Sequence, residues 1–157
     1  MIHMKVQGLT IDPATNSPII ILQELTGERT LPIWIGLLEA TAIASELEKV
    51  TFSRPMTHDL ALSLITHMGR KILKVEVTAL QDNTFYAQLY LQDAAGEVST
   101  VDSRPSDAIA LALRAQAPIL VAEEVLATAA ASPAQGDKEW KDLLESMDPE
   151  DFGKYKM

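Results

Sequence analysis

The stretch LKVEVTALQDNTFYAQLYLQ, residues 73–92, constrains the fold more than any other part of the chain, because two runs of alternating apolar and polar residues meet there at Asp82-Asn83. Alternation with period two puts one set of side chains on each face of a strand, and a two-residue break of this kind makes an antiparallel hairpin. Leu73, Val75, Val77 and Ala79 then share an inner face with Phe85, Ala87, Leu89 and Leu91. Lys74, Glu76, Thr78, Tyr86, Gln88, Tyr90 and Gln92 face outward. A chain containing this unit must build a sheet with at least one covered face, so helices have to provide the cover.

The flanking segments supply both. Residues 1–12 and 18–24 read as strands joined by the turn-forming residues 13–17, and a third strand follows at 29–35. Gly36 ends that pattern, and LLEATAIASELEKV switches to helical spacing with Ala40, Ile43, Leu47 and Val50 on one stripe. Beyond a Ser53-Arg54-Pro55 elbow, Thr57 is placed to cap a second helix whose Leu60, Leu64, Ile65 and Met68 recur along one side before Gly69 stops it. After the hairpin come a short strand at 97–101, a second elbow at Ser103-Arg104-Pro105, a helix over 106–116, a strand at 119–121 and a helix starting near Glu123-Glu124. The order βββαα-βββα-β, with a short C-terminal helix, predicts an α+β domain with a mainly antiparallel sheet over residues 1–128. Residues 129–136 are small and polar enough for a linker, and 137–157 read as an acidic helix and tail with Trp140, Leu143, Leu144 and Met147 on one apolar side.

Composition narrows the function. There is no cysteine, which removes disulfides, thiolate zinc sites and a cysteine nucleophile, and a cytoplasmic location is expected. The apolar runs are far shorter than the roughly 20 residues a membrane-spanning helix needs. The formal charge of -9 argues against a general electrostatic grip on nucleic acid, so a polyanion partner requires a local basic patch or a bridging cation. A phosphate-cradling glycine loop, a G-x-S-x-G elbow and an H-E-x-x-H helix are all missing.

The residues with chemistry to offer gather at the elbows. At the second, Asp102, Ser103, Arg104, Pro105, Ser106 and Asp107 run from a strand end into a helix start. In one reading they only build the corner: Pro105 fixes the approach, Ser106 caps the helix and Asp107 complements its dipole. In the other, two carboxylates offer oxygens to Mg²⁺ or Mn²⁺ while the guanidinium forks onto phosphate. The first elbow repeats the theme with Arg54, Thr57, His58 and Asp59, where His58 is either a general base or a water-exposed helix-start residue. Glu39 sits three residues into the first helix and either bonds back to a free amide or looks into a groove. Tyr86 and Tyr90, sharing a strand face, suit a subunit interface better than base stacking in so acidic a chain.

Four segments together resemble one family. LPIWIGLLEATAIA (31–44), RPMTHDL (54–60), VDSRPSDAIALALR (101–114) and PILVAEEVL (118–126), in this order, are similar to the bifunctional nuclease domain, also known as domain of unknown function 151. The ending MDPEDFGKYKM resembles the tail of some bacterial members. The resemblance implies an α+β fold, self-association into a homo-oligomer, and nuclease activity towards DNA and RNA. Carried over by motif, it points to Glu39, Arg54, Thr57, His58, Asp59, Asp102, Arg104, Ser106 and Asp107. The expectation is therefore a nuclease in which Asp107, Asp102, Asp59, His58 and Glu39 are catalytic, Asp107 and Asp102 also hold a divalent cation, and Arg54, Arg104, Thr57 and Ser106 bind phosphate. The alternative is a non-catalytic module that takes a protein partner or peptide in an apolar groove between the first helix and the sheet.

Overall fold

A computed structural model of the chain describes residues 1–130. The expectations for residues 131–136 and for the tail at 137–157 lie outside the described residues. Three strands come first, β1 (Ile2–Ile11), β2 (Pro18–Glu24) and β3 (Thr30–Trp34), followed by helices α1 (Leu37–Leu47) and α2 (Thr57–His67). Then β4 (Arg70–Gln81), β5 (Thr84–Asp93) and β6 (Val98–Ser103) lead into α3 (Pro105–Ala115), the three-residue strand β7 (Ile119–Val121) and α4 (Glu123–Ala130). The order is the one expected, and the domain is α+β.

All seven strands form one sheet in the order β3-β2-β1-β7-β4-β5-β6. Two three-stranded meanders make its wings, and β7 stitches them together, antiparallel to β1 and parallel to β4. Every other pairing is antiparallel. The Asp82-Asn83 turn has φ of 51° and 61°, the doubly left-handed geometry of a type I′ hairpin whose twist matches the flanking strands. Both residues are among those that tolerate this region.

The inner face of β4 differs from the simple alternation. The register slips between Ile72 and Lys74 and again between Val77 and Ala79, so each bulge inserts a residue. Ile72, Val75 and Val77 face the core while Leu73 is left exposed. Strict period two places Leu73 inward; a bulge, which single-residue patterning does not reveal, puts Ile72 there instead.

The core lies between the sheet and α3. The sequence PSDAIALALRA is alanine-rich, and a helix apolar nearly all round belongs inside. Pro105, Ser106 and every residue from Ala108 to Ala112 are buried, packed with Ile20, Leu22, Ile43, Val75 and Val77. Its small side chains let α1 and α2 approach from either side. Helix α2, in contrast, buries no residue fully. Its Ala61, Leu62 and Ile65 face the core, while Leu60, Leu64 and Met68 stand 51%, 49% and 74% exposed. The side expected to be a core stripe is thus largely an outer surface, with Ile65 alone of the four turned in.

Candidate functional site

The packing of α1 and α2 on α3 brings three helix N-termini together. Glu39 is the third residue of α1, after Gly36 as N-cap; His58 is the second of α2; Arg104 is the N-cap of α3 and Asp107 its third residue. A continuous chain of contacts joins them. Arg104 Nη1 donates to Glu39 Oε1 at 2.6 Å, and Arg104 Nε donates to Asp107 Oδ2 at 2.8 Å. The other carboxylate oxygen, Asp107 Oδ1, lies 2.9 Å from His58 Nε2. Arg104 is the exposed end of this chain, with 65% of its side chain open, while those of Asp107 and His58 are 29% and 18% open.

Electrostatics set the protonation of the cluster. Burial pushes the Asp107 carboxyl up, but hydrogen bonds from Arg104 and then His58, reinforced by their charges, outweigh it and hold the group below the usual carboxylate range. Asp107 is therefore ionised at neutral pH and accepts at both oxygens. Facing an ionised carboxylate, His58 Nε2 is the donor, and Nδ1 has no partner among the described residues. Carboxylate, oriented imidazole and free nitrogen form the elements of a general base.

The two elbows do not keep their acids and cations to themselves. Asp59, from the first, accepts from Arg114 Nε of α3 at 2.8 Å and from the Met56 amide at 3.0 Å. Burial raises its carboxyl, and the bonds from the Met56 amide and then Arg114 bring it below the ordinary value. Arg114 also donates to the carbonyls of Ala110 and Ala42, both at 3.0 Å, with only 6% of its side chain exposed. One buried guanidinium thus ties α1, α2 and α3 together. Sequence reasoning passed over Arg114, although its spacing of seven from Asp107 puts both on one face of α3.

Five of the nine expected residues stand apart from the contact chain. Arg54 and Thr57 are exposed, and neither makes an ion pair or side-chain hydrogen bond among the described residues. Asp59 is engaged by Arg114. Asp102 is exposed on β6 opposite Gln88, and Ser106 is buried in the first turn of α3, where Arg104 and not Ser106 occupies the N-cap. Thr57 likewise starts α2 one residue after the N-cap, Met56.

The donor set bears on the expected cation. Among the described residues no three His, Asp or Glu side chains converge as metal ligands. Asp107 accepts one hydrogen bond at each oxygen, from Arg104 and from His58, and would offer an ion only its remaining lone pairs. In this arrangement a Mg²⁺ or Mn²⁺ would find no preformed set of three such ligands among the described residues.

A family model described as the bifunctional nuclease domain matches residues 20–134, from β2 through α4. An uncharacterized protein of Mycobacterium tuberculosis is 39% identical over 163 residues, covering 96% of this chain and 97% of its own. Bifunctional nuclease 2 of Oryza sativa subsp. japonica and bifunctional nuclease 1 of Arabidopsis thaliana are each 29% identical over 123 residues, 76% of this chain but 38% of theirs.

Proposed function

The chain belongs to the bifunctional nuclease domain family, and we propose that it hydrolyses phosphodiester bonds of DNA and RNA with His58 as the catalytic base. The observation that carries this reading is the contact chain Glu39–Arg104–Asp107–His58, which places an oriented imidazole beside an exposed guanidinium. Asp107 is a positioning residue. It fixes the tautomer and orientation of His58 and offsets the imidazolium that forms in the reaction.

In the proposed reaction, a water attacks phosphorus in line with the leaving oxygen. His58 Nδ1 accepts a proton from that water as the new P–O bond forms, and the leaving oxygen departs with a proton from solvent. Arg104, whose Nη2 has no protein partner among the described residues, donates to the non-bridging oxygens as their charge develops. Arg54, on the same elbow as His58, adds a second cation for the phosphate. Glu39 keeps the Arg104 fork in place. Because the water supplies the nucleophile, the same groups act on DNA and on RNA.

No step is routed through a metal ion, since no three acidic or histidine side chains converge as ligands among the described residues. The test is hydrolysis of labelled single- and double-stranded DNA and RNA with and without chelator. Activity that survives the chelator supports the reading. Activity abolished by it and restored by Mn²⁺ would return Asp102 and Asp107 to the role of ligands.

Homo-oligomerisation belongs to the same proposal, and its supporting feature is the apolar edge of α2. Met56, Leu60, Leu64 and Met68 follow at intervals of four, all exposed, the spacing that aligns side chains along one side of a helix. The cytoplasmic location is likewise a proposal. Among the described residues no helix is long and apolar enough to cross a membrane.

A further inference from the structure

An acidic chain that acts on a polyanion must find cations that it has not already spent. Among the described residues, Arg29, Lys49, Lys74, Arg104 and Arg114 each pair with a carboxylate. Lys5, Arg54, Arg70 and Lys71 do not. Three of these four flank α2: Arg54 precedes it, on the same elbow as His58, and Arg70 and Lys71 follow it at the far end.

The far end is concave. A depression of about 460 Å³ is lined by Gly69, Arg70, Lys71, Gln92, Asp93 and Gly96 among others. Gly69 and Gly96 turn the chain there with φ of 76° and 87°, and a Cβ at Gly69 would meet nothing within 4 Å. Lys71 is exposed, and Arg70 makes a single hydrogen bond, from Nη1 to Ser99 Oγ at 2.9 Å. The one carboxylate in the lining, Asp93, uses Oδ1 as a turn brace, accepting from the amides of Ala95 and Glu97 at 3.0 and 2.9 Å.

Strand β6 connects this depression to the candidate site. It lies at the edge of the sheet, starts beside Ser99 and ends at Ser103, one residue before Arg104. Five residues of extended chain span about 17 Å. A single strand whose bases stay stacked as in a duplex advances about 3.4 Å per phosphate, so the same distance covers roughly five nucleotides.

We propose that the depression formed by Arg70, Lys71 and Gln92 is a second, non-catalytic contact for the phosphate backbone, holding the substrate strand about five nucleotides from the bond that is cut. The inference rests on the nuclease reading for the position of the cut. It adds a length requirement that the His58 site alone does not impose.

The test uses single-stranded DNA oligonucleotides of three and of twenty nucleotides, with wild type, Arg70→Gln/Lys71→Gln and His58→Ala compared for binding and cleavage. Arg70 and Lys71 have no role in the proposed reaction, so the double variant is expected to cleave the three-nucleotide substrate at the wild-type rate. On the twenty-nucleotide strand its KM should rise about tenfold with kcat unchanged, and its plot of log affinity against log salt should be flatter by about 1.4, the value for two lost phosphate contacts on a single strand. Wild-type cleavage with unchanged KM and salt slope in the double variant overturns this inference and leaves the nuclease reading intact. Weaker long-strand binding by the double variant, in a protein that cleaves nothing, upholds the contact and overturns the nuclease reading. A wild type that binds no nucleic acid at low salt overturns both.

Discussion

His58 and Asp107 lie 49 residues apart in sequence and 2.9 Å apart in space, each in the first turn of its helix. Asp59, the next residue along, reaches the same helix at its other end, where Arg114 donates to it, so the acids of both elbows are held by contacts between α2 and α3. The doubled corner is therefore one device with two outputs: the His58–Asp107 pair, suited to chemistry, and the Asp59–Arg114 pair, anchored on a buried guanidinium and suited to holding the helices.

The Asp59–Arg114 pair should govern stability. Asp59→Ala leaves the Arg114 guanidinium, 6% exposed, without its carboxylate partner, and is expected to lower unfolding free energy by about 1–3 kcal/mol. The partial exposure of Asp59 keeps the loss below that of a fully buried pair. Urea denaturation monitored by circular dichroism measures it, and the folded fraction should retain the pH profile of wild-type cleavage.

Acid should unfold the domain through the same carboxylates. Asp59 and Asp107 are both held below their ordinary value in the folded state, so their contribution is fully present above the unfolded pKa of about 3.9 and disappears as pH falls through the folded one. Stability measured from pH 7 down to pH 2 should stay level until about pH 5 and then drop. Asp59→Asn should be less stable at pH 7 and show a shallower drop.

Gly36 leaves room for the carboxylate of its neighbour Glu39. A Cβ at this position would collide with Glu39 Oε2, and Glu39 is itself held by Arg104. Gly36→Ala is expected to push Glu39 off the guanidinium, loosening the Arg104 fork and raising KM several-fold. The stability cost should be about 0.5–1 kcal/mol, the scale of replacing a favourable N-cap by alanine. Steady-state kinetics and thermal melts separate the two effects.

The outer edge of α2 should control assembly. Leu64→Glu places a charge in the middle of the exposed apolar row and is expected to shift the protein to monomer in sedimentation velocity. Leu64 faces solvent, so the melting temperature of the monomer should move little.

Much of this architecture could be read from residues alone. The hairpin at Asp82-Asn83, the break at Gly36 and the alanine-rich third helix all follow from local rules of turn chemistry and periodicity. Leu73 escaped those rules because a bulge depends on the partner strand. The outward turn of Leu60 and Leu64 escaped them because a helix with apolar residues on two sides does not say which side is covered. The candidate site was legible as a set of residue types but not as a partition. Nothing in RPMTHDL indicates that Asp59 is engaged by α3 while His58 reaches Asp107; only the crossing of α2 over α3 decides it. Arg114 was overlooked because an arginine late in an apolar helix looks like a solvated end.

The most direct test of the account is cleavage of a labelled single-stranded RNA and its DNA counterpart by wild type, His58→Ala and Asp107→Asn, with folding of each variant confirmed by circular dichroism. The account predicts a loss of about 10²–10⁴-fold in kcat for His58→Ala, the range typical of a missing general base, and a smaller loss for Asp107→Asn, which keeps the shape but not the charge behind the imidazole. Wild-type rates in folded His58→Ala would contradict it.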